Sequence, residues 1–385
     1  MPRNTSKVKK NGVIQNGKLD ITFLSIVLII LTVGLVMLFS ASFAYSYEYY
    51  GNSYKFIIRQ AILAAVGIVA MFVMSRIDYH IWRKLSWVIY AVTVFLLIAL
   101  LVLPPMVKGM SVKRWFAIGS FSFQPSEIAK FAIVVLFSTL ITANQKKMKS
   151  AKFVMFLFLI LGFTCVLVIL EPHISATLLI AAIGVVLIYV GGLNRKVVIA
   201  GLIAAALGIA LVIFTQSTGF INYGSDRIKY WQDPWADPTG QGFQTIQSLL
   251  AIGSGGVLGR GLGQSRQKYL WVPEPHNDFI FSIVCEELGL IGAVIIILLF
   301  ALLVWRGFTI AMRSSDKFGS MLALGLTFQV GLQAMLNIWV VTNTIPNTGI
   351  SLPFFSYGGT SLLILLAEMG IILSVSRGAN IEKVK

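Results

Sequence analysis

The sequence predicts an all-α, polytopic membrane protein with about ten transmembrane helices and one large extracellular loop. The first observation is its mean hydropathy of +0.84, with 57% hydrophobic and 12% charged residues. The second is a series of apolar runs of the length that a helix needs to cross about 30 Å of hydrocarbon. The third is a polar and aromatic segment, residues 216–277, between two such runs. A chain of this composition must place its chemistry where its few polar groups converge.

The apolar runs are too long for membrane strands and lack the strict alternation that a barrel strand shows, so a closed β-barrel is excluded. The first run has no small-residue cleavage site, which predicts an anchor rather than a removed signal peptide. The predicted spans are residues 20–42, 56–75, 86–106, 127–144, 153–170, 174–192, 197–215, 277–305, 318–342 and 357–376.

The chain is predicted to be one membrane domain, residues 19–377, with the extracellular loop at about 216–277. Residues 1–18 are polar and basic and are predicted to be a disordered cytoplasmic N-terminus. Residues 378–385 form a predicted cytoplasmic tail.

The distribution of Lys and Arg predicts the orientation. With the N-terminus inside, the cytoplasmic segments hold 20 of the 31 basic residues, the outer segments hold ten, and Lys130 lies within a span. The positive-inside rule therefore places both termini in the cytoplasm and the long loop outside. This bias explains most of the net charge of +16 and argues against nucleic-acid binding. The basic residues of the outer segments indicate an anionic ligand outside.

Asp278 is the strongest candidate for a catalytic residue. It stands in WVPEPHNDFIF, residues 271–281, where the long loop re-enters the apolar phase. Desolvation at such a boundary disfavours a charged carboxylate and raises its basicity. His276, two residues earlier, could be a ligand or a base, but no second histidine is nearby for a zinc site.

Charges inside the predicted spans are costly unless they are paired or exposed to water. Glu127 and Lys130 are three residues apart at a helix start, so they can pair as a structural ion pair or form the wall of a polar cavity. Glu286 is expected on the same face as Asp278, eight residues earlier. Glu368 stands alone in the last span, and we expect a polar partner across a helix interface.

The segment NTIPNTGISLPFFSYGGTS, residues 343–361, separates the last two spans. Its prolines forbid a continuous helix and its glycines permit close turns, which predicts a re-entrant loop beside a polar pocket. A tight hairpin with helix caps at Ser356 and Thr360 is the alternative.

Two further features carry little chemistry. GSGGVLGRGLGQ, residues 253–264, lacks the Gly-Lys-Ser/Thr ending of a P-loop, so we interpret it as a packing segment. Cys165 and Cys285 both lie in apolar spans, where buried thiols are expected rather than a disulfide.

Long motifs of this chain resemble the SEDS family, in its FtsW and SpoVE branch rather than its RodA branch. The resemblance runs through essentially the whole chain after residue 20. It is carried by RWFAIGSFSFQPSE, by SDRIKYWQDPWADPTGQGFQTIQSLLAIGSGG, by GLGQSRQKYLWVPEPHNDFIFSIVCEELG and by NTGISLPFFSYGGTS. Two places depart from the common family pattern: Ser111 and Val112 precede the basic-Trp motif, and EPHISAT has His173 and Ser175 where Asp and Gly are frequent.

The resemblance implies a peptidoglycan glycosyltransferase that polymerises lipid II on the outer face of the bacterial cytoplasmic membrane, at the division septum. It implies that the acidic residue of the DFIF motif, here Asp278, is essential. It also implies a class B penicillin-binding protein, a single-span transpeptidase, as partner, together with other division proteins.

This chemistry needs a base for the acceptor hydroxyl and cations for the departing lipid pyrophosphate. Asp278 is the predicted base, and a divalent cation, Mg²⁺ or Mn²⁺, is a candidate cofactor. The candidate cations that bind pyrophosphate are Lys113, Arg114, Arg227, Arg260, Arg266 and Lys268, and the candidate cavity-lining residues are Glu127, Lys130, Glu286 and Ser356. The outer aromatics, which could stack on sugars or form the interfacial belt, are Trp115, Trp231, Trp235, Tyr269 and Trp271.

Two other functions remain open at this stage. A flippase for the same lipid would use intramembrane charges along a path across the bilayer, whereas the polar residues of this chain concentrate on one side. A non-catalytic division scaffold would not need Asp278.

Overall fold

In the computed structural model, the described residues are 17–103, 114–118, 121–193, 229–269 and 271–379. They contain ten α-helices, two short 3-10 helices (Gln145–Lys149 and Pro234–Ala236) and one short β-hairpin. The hairpin pairs β1 (Phe116–Ile118) with β2 (Phe121–Phe123) in antiparallel register. The helices are α1 (Ile21–Tyr50), α2 (Lys55–Arg76), α3 (His80–Val102), α4 (Pro125–Ala143), α5 (Ala151–Leu170), α6 (Ile174–Val190), α7 (Phe243–Gly255), α8 (Ile280–Met312), α9 (Lys317–Val341) and α10 (Gly359–Gly378).

Nine of the ten predicted spans correspond to helices. Eight of these helices are long and apolar enough to cross a membrane, and α6 is a shorter apolar helix. The predicted span 197–215 lies outside the described residues. α1 continues well past its predicted end, because helix-compatible residues run on to Gly51, which closes the helix in the left-handed conformation with φ of 66°.

Several helix ends meet at one end of the bundle and form the site there. One cavity is lined by residues after the C-terminal ends of α3, α5 and α9 and before the N-terminal end of α8. At the opposite end, the carboxylate of Asp20 before α1 accepts from Arg306 Nε near the end of α8 at 2.9 Å. The segments that the sequence predicts to be extracellular therefore converge in space.

α8 is broken at Gly289, whose φ of 66° lies outside the helical region. The break frees backbone groups that must be satisfied inside the bundle. The segment at residues 256–261 supplies the partners. Arg260 N and Gly261 N donate to the carbonyls of residues 286 and 287 at 3.0 and 2.9 Å. Leu290 N donates to Gly256 O at 2.9 Å. The glycine-rich motif is thus a packing segment, as its sequence indicates.

The predicted broken segment between α9 and α10 is irregular and largely buried in the structure, with Leu352, Phe354 and Phe355 in the core. The alternative of helix caps at Ser356 and Thr360 is wrong. Gly358 is the N-cap of α10, and as a glycine it has no side chain to cap the helix. Ser356 Oγ instead accepts from Leu352 N at 2.7 Å, and Thr360 Oγ1 donates to the hairpin at Ser122 O.

Candidate functional site

Asp278 lies in the turn that precedes α8 and lines a cavity of about 250 Å³. α8 begins at Ile280, with Phe279 as its N-cap, so Asp278 belongs to the loop, and its side chain is half-buried. The other walls come from the α5–α6 turn, the start of α7 and the segment after α9.

Neutral hydrogen-bonding groups make up most of the cavity wall that the described residues form. The charged groups in this wall are the Asp278 carboxylate and the Arg114 guanidinium. Two aromatic side chains, Tyr230 and Trp231, also belong to the wall. Trp231 is fixed by its Nε1, which donates to Asn343 O at 2.9 Å. Such a mixture suits a carbohydrate, because sugar hydroxyls pair with amides and hydroxyls while the ring face packs on an aromatic surface. The polar lining includes Ser175, Gln241, Gln244, Thr245, Asn347 and Thr348.

Burial and, to a smaller extent, the negative charge of Glu274 raise the pKa of Asp278 to about 6, while Arg114 acts in the opposite direction. Asp278 is therefore ionised in most molecules at neutral pH and still basic enough to accept a proton. A general base is most effective with a pKa close to the working pH.

Arg114 is the one predicted pyrophosphate cation, among those in the described ranges, that the structure brings into the Asp278 cavity. Lys113 and Arg227 lie outside these ranges. Arg114 is anchored to the α5–α6 turn, because its Nη2 donates to Pro172 O and its Nε donates to Glu171 O at 3.4 Å. Backbone carbonyls thus hold the guanidinium beside the carboxylate.

The α5–α6 turn places two titratable groups behind Arg114. Glu171 is fully buried, and burial raises its pKa to about 8 despite the nearby Arg114. Burial lowers the pKa of His173 to about 3, and its Nδ1 lies 3.1 Å from Gln124 Nε2 and 3.2 Å from Ser126 Oγ. His173 is therefore neutral and structural. The other departure from the family pattern, at residues 111 and 112, lies outside the described residues.

Lys268 was predicted to bind pyrophosphate, but the structure places it in a buried ion pair away from the Asp278 cavity. Its Nζ lies 2.9 Å from Glu287 Oε1 and donates to Ser40 Oγ at 3.0 Å and to Gly263 O at 2.7 Å. All three N–H donors of the ammonium group are used, so the prediction that Lys268 binds pyrophosphate is wrong. The sequence could not show that Glu287 points at the loop.

Arg260 and Arg266 lie in the same segment as Lys268, at the break in α8. Arg260 Nε donates to Ser254 O at 3.2 Å and lies 3.8 Å from Glu286 Oε1. Arg266 is exposed, and its backbone N–H donates to Glu286 Oε1 at 2.9 Å. Neither side chain is among the residues that line the Asp278 cavity in the described part of the chain.

The predictions that Glu286 shares a helix face with Asp278 and that it lines a cavity are both wrong for the cavities that the described residues form. Asp278 is not on the helix, so the spacing of eight residues does not place the two carboxylates on one face. Glu286 is fully buried and accepts from Ser265 Oγ at 2.5 Å and from the backbone of residues 266 and 267 at 2.9 and 3.3 Å. Its role is to fix this loop to α8.

Glu127 and Lys130 form the ion pair that their spacing predicts, with Nζ 2.9 Å from Oε1. Lys130 also donates to Gln333 Oε1 at 2.9 Å. A second, smaller cavity of about 20 Å³ is lined by Glu127, Ser356 and Glu368, among others. This volume suits one water molecule. Lys130 is buried and is not among the described residues that line this cavity, although its partners Glu127 and Gln333 are.

Glu368 has the polar partner that was expected across a helix interface. Gln329 Nε2 on α9 donates to its two carboxyl oxygens at 3.0 and 3.3 Å. The pair therefore satisfies a carboxyl group that is buried in the bundle.

Sequence reasoning missed most of the polar wall around Asp278. Ser175 and Thr348 were inside motifs that had been singled out, but their types alone gave no role. Gln244 stands in the long polar loop, where many amides were candidates. The usable signal was the broken segment after α9, which predicted a polar pocket nearby.

The donor set that the described residues offer suits a cation held mainly by other ligands rather than a preformed metal centre. Among the described residues, no group of three or more His, Cys, Asp or Glu side chains could hold a metal ion. Beside Asp278 stand the neutral oxygens of Asn347 and Thr348, and Thr348 Oγ1 is buried without a hydrogen-bond partner. Mg²⁺ commonly keeps several waters and binds through few protein ligands plus substrate phosphates.

Solved structures show the same architecture. A chain from a structure described as "Structural coordination of polymerization and crosslinking by a peptidoglycan synthase complex" aligns with a TM-score of 0.77 and 28% identity, covering 93% of this chain and 98% of that chain. The rod shape determining protein RodA of Thermus thermophilus aligns with a TM-score of 0.69 and 24% identity, covering 94% of this chain and 98% of that chain, and supports the fold alone.

Sequence relatives cover nearly the whole chain. Stage V sporulation protein E of Bacillus subtilis (strain 168) is 40% identical over 363 residues, 93% of this chain and 97% of that protein. The probable peptidoglycan glycosyltransferase FtsW of Geobacter sp. (strain M18) is 38% identical over 366 residues, 94% of this chain and 98% of that protein. The model of the FtsW/RodA/SpoVE family, described as cell cycle protein, matches residues 21–381. This chain belongs to the FtsW/RodA/SpoVE family of cell cycle proteins.

Proposed function

We propose that this chain is a peptidoglycan glycosyltransferase that polymerises lipid II into glycan strands. The observation that carries the proposal is the polar cavity in which the carboxylate of Asp278 and the guanidinium of Arg114 stand together among amides and hydroxyls. Relatives named as probable peptidoglycan glycosyltransferases, which share more than a third of their residues with this chain, support the same activity.

In the proposed reaction, Asp278 takes the proton from the acceptor sugar hydroxyl as that oxygen attacks the anomeric carbon of the donor. The new glycosidic bond forms as the bond from the anomeric carbon to the pyrophosphate breaks, and the lipid pyrophosphate leaves with the bonding electrons. Arg114 stabilises the charge that develops on the leaving group. Lys113 and Arg227 remain further candidates for this role. A divalent cation, Mg²⁺ or Mn²⁺, would lie beside Asn347 and Thr348 and neutralise part of the pyrophosphate charge.

We also propose that the cavity opens on the outer face of the cytoplasmic membrane, with both termini in the cytoplasm. The excess of basic residues in the predicted inner segments supports this orientation. A role at the division septum fits the family. A class B penicillin-binding protein is the proposed partner, because a structure described as a peptidoglycan synthase complex contains a chain 28% identical to this one.

The proposed function is tested by reconstituting the protein with its transpeptidase partner in liposomes and supplying lipid II. We expect glycan strands longer than a disaccharide, detected by gel electrophoresis. Glycan chains absent under conditions where lipid II moves to the opposite leaflet would favour the flippase. If the liposomes show neither glycan product nor lipid movement, the scaffold is favoured.

Replacing Arg114 with Ala is expected to reduce kcat/KM for lipid II by roughly 10–100-fold, since a charge-assisted contact contributes about 1.5–3 kcal/mol. Arg260→Ala is the comparison variant, because Arg260 lies at the break in α8, where its Nε donates to Ser254 O and faces Glu286. Its loss should be smaller. Equal losses in the two variants would contradict the placement of the pyrophosphate beside Arg114. Thermal unfolding of both variants controls for folding.

A further inference from the structure

The backbone that carries Asp278 is held by hydrogen bonds from two other segments. The carbonyls of residues 276–278 accept, in order, from Tyr357 N at 2.8 Å, Ser356 Oγ at 2.8 Å and Asn337 Nδ2 at 2.7 Å. The first two donors belong to the segment before α10, and the third is on α9. The turn is therefore fixed although it has no regular structure.

Asn337 differs from the other two donors because its side chain donates two hydrogen bonds. Its Nδ2 also donates to Ile350 O at 2.6 Å. Both partners are carbonyl oxygens, which only accept, so the orientation of the amide follows from its chemistry. The two N–H bonds of one buried amide thus join the backbone of Asp278 to the backbone of the segment after α9.

The segment that Asn337 ties to Asp278 also faces the Asp278 carboxylate. Gly349 directly precedes Ile350 and has φ of 68°. A Cβ atom added at Gly349 would lie 3.2 Å from Asp278 Oδ2, so the backbone closely approaches the carboxylate. The residues next to it, Asn347 and Thr348, line the same cavity. The amide therefore links the backbone of Asp278 to the backbone beside the wall that its carboxylate faces.

This amide is costly at its position. Asn337 is fully buried in α9, and its Oδ1 has no hydrogen-bond partner. A polar group buried without a partner destabilises the fold, and an apolar side chain of similar volume would avoid that cost. A purely structural link between α9 and its neighbours could be made by packing alone, whereas fixing a carboxylate requires a directional contact.

We propose that Asn337 is a positioning residue for Asp278, which holds the carboxylate in register with the cavity wall at Gly349. This inference rests on the proposed function, because the position of the carboxylate affects rate only if Asp278 takes the proton. Asn337 itself does not line the cavity in the described part of the chain and acts through Asp278.

The test compares Asn337→Leu with Ser248→Ala in the full chain, reconstituted with its partner. Ser248 is the matched control because it is fully buried and its Oγ donates to Val341 O, at the end of α9, at 2.9 Å. Ser248→Ala loses one buried hydrogen bond to a carbonyl and Asn337→Leu loses two, but only Asn337→Leu releases Asp278. Asn337→Asp, which keeps the side-chain volume, replaces Asn337→Leu if the latter does not fold.

Two measurements are made on each variant. The first is steady-state polymerisation, which separates kcat from KM for lipid II. The second is the rate at which a hydrophobic carbodiimide labels Asp278, measured by mass spectrometry, which reports the surroundings of the carboxyl group without any catalytic turnover.

For Asn337→Leu we expect kcat to fall by roughly 10–100-fold, because misplacing a catalytic group by about 1 Å has an effect of this size. KM should stay unchanged and the labelling rate at Asp278 should differ from the wild-type rate. Ser248→Ala should match the wild type in kcat, in KM and in the labelling rate. A labelling rate unchanged in Asn337→Leu, or a kcat equal to that of Ser248→Ala, would overturn the inference. If the wild type makes no polymer, the proposed function fails, and labelling still decides whether Asn337 positions the carboxyl group.

Discussion

Asp278→Asn is expected to lower the rate of lipid II polymerisation by about 10²–10⁴-fold, the usual contribution of a positioned acid–base group. The substituted side chain keeps the size and most of the hydrogen bonding of the original, but it has no basic carboxylate. The backbone contacts of the turn use the carbonyl of Asp278, so they survive the substitution. Binding of the partner and thermal unfolding should therefore match the wild type, and the loss should appear in kcat.

The pH dependence of the same reaction checks the assignment. Burial raises the pKa of Asp278 to about 6, so the base form is lost as the pH falls through that value. The wild-type rate should decline about tenfold per pH unit in the acid limb, as for any single essential base. A carboxamide does not titrate in this range, so the residual activity of Asp278→Asn should show no such limb. A folded, partner-bound Asp278→Asn variant that polymerises at the wild-type rate would remove Asp278 from the mechanism.

Hydropathy located the helices because the bilayer constrains length and polarity together. Nine predicted spans are helices, and their largest error is at the end of α1, which runs from the predicted end at residue 42 on to Tyr50 because no helix-breaking residue occurs before Gly51. The break at Gly289 was hidden, since a glycine in an apolar run looks like ordinary helix packing. The break shows in the structure through the φ of 66° at Gly289 and through the carbonyls of residues 286 and 287, which bond to another segment.

The chemistry of the site was predictable only in part. Asp278 was identifiable because a lone acid at an apolar boundary, followed by a long span, is unusual in any chain of this composition. Asn337 was not identifiable, because its partners, the carbonyls of residues 278 and 350, are distant in sequence and carry no side-chain signal. Local spacing succeeded for Glu127 and Lys130, where one helix holds both groups.

Basic residues were the least predictable group, because sequence does not tell a cation that meets substrate from one that meets a buried carboxylate. Arg114 and Lys268 both stand beside aromatics in outer segments. The structure places the first in the cavity and the second against Glu287. The difference depends on which carbonyl and carboxylate groups the tertiary fold brings near each cation. The sequence around Arg114 or Lys268 does not show these partners.

The corrected role of Lys268 leads to a large expected effect on stability. Lys268→Met should lower the free energy of unfolding by roughly 3–5 kcal/mol, because removing one partner of a buried ion pair leaves the other charge uncompensated. The side chains of Lys268 and Glu287 are 3% and 0% exposed, so water cannot take the place of the missing ammonium. Ser40 Oγ would remain as a donor to the Glu287 carboxylate at 2.7 Å, which compensates a full charge only in part.

The measurement is thermal unfolding in detergent, with Arg266→Met as the control. Arg266 is an exposed basic residue two positions earlier, and substitutions at such sites usually change stability by less than about 0.5 kcal/mol. The double variant Lys268→Met with Glu287→Gln removes both charges and keeps an acceptor for Ser40, so it should recover most of the stability lost in Lys268→Met. Equal unfolding temperatures for Lys268→Met and Arg266→Met would show that the pair contributes nothing to the fold. A double variant no more stable than Lys268→Met would show that the loss comes from packing of the lysine side chain and not from the orphaned charge.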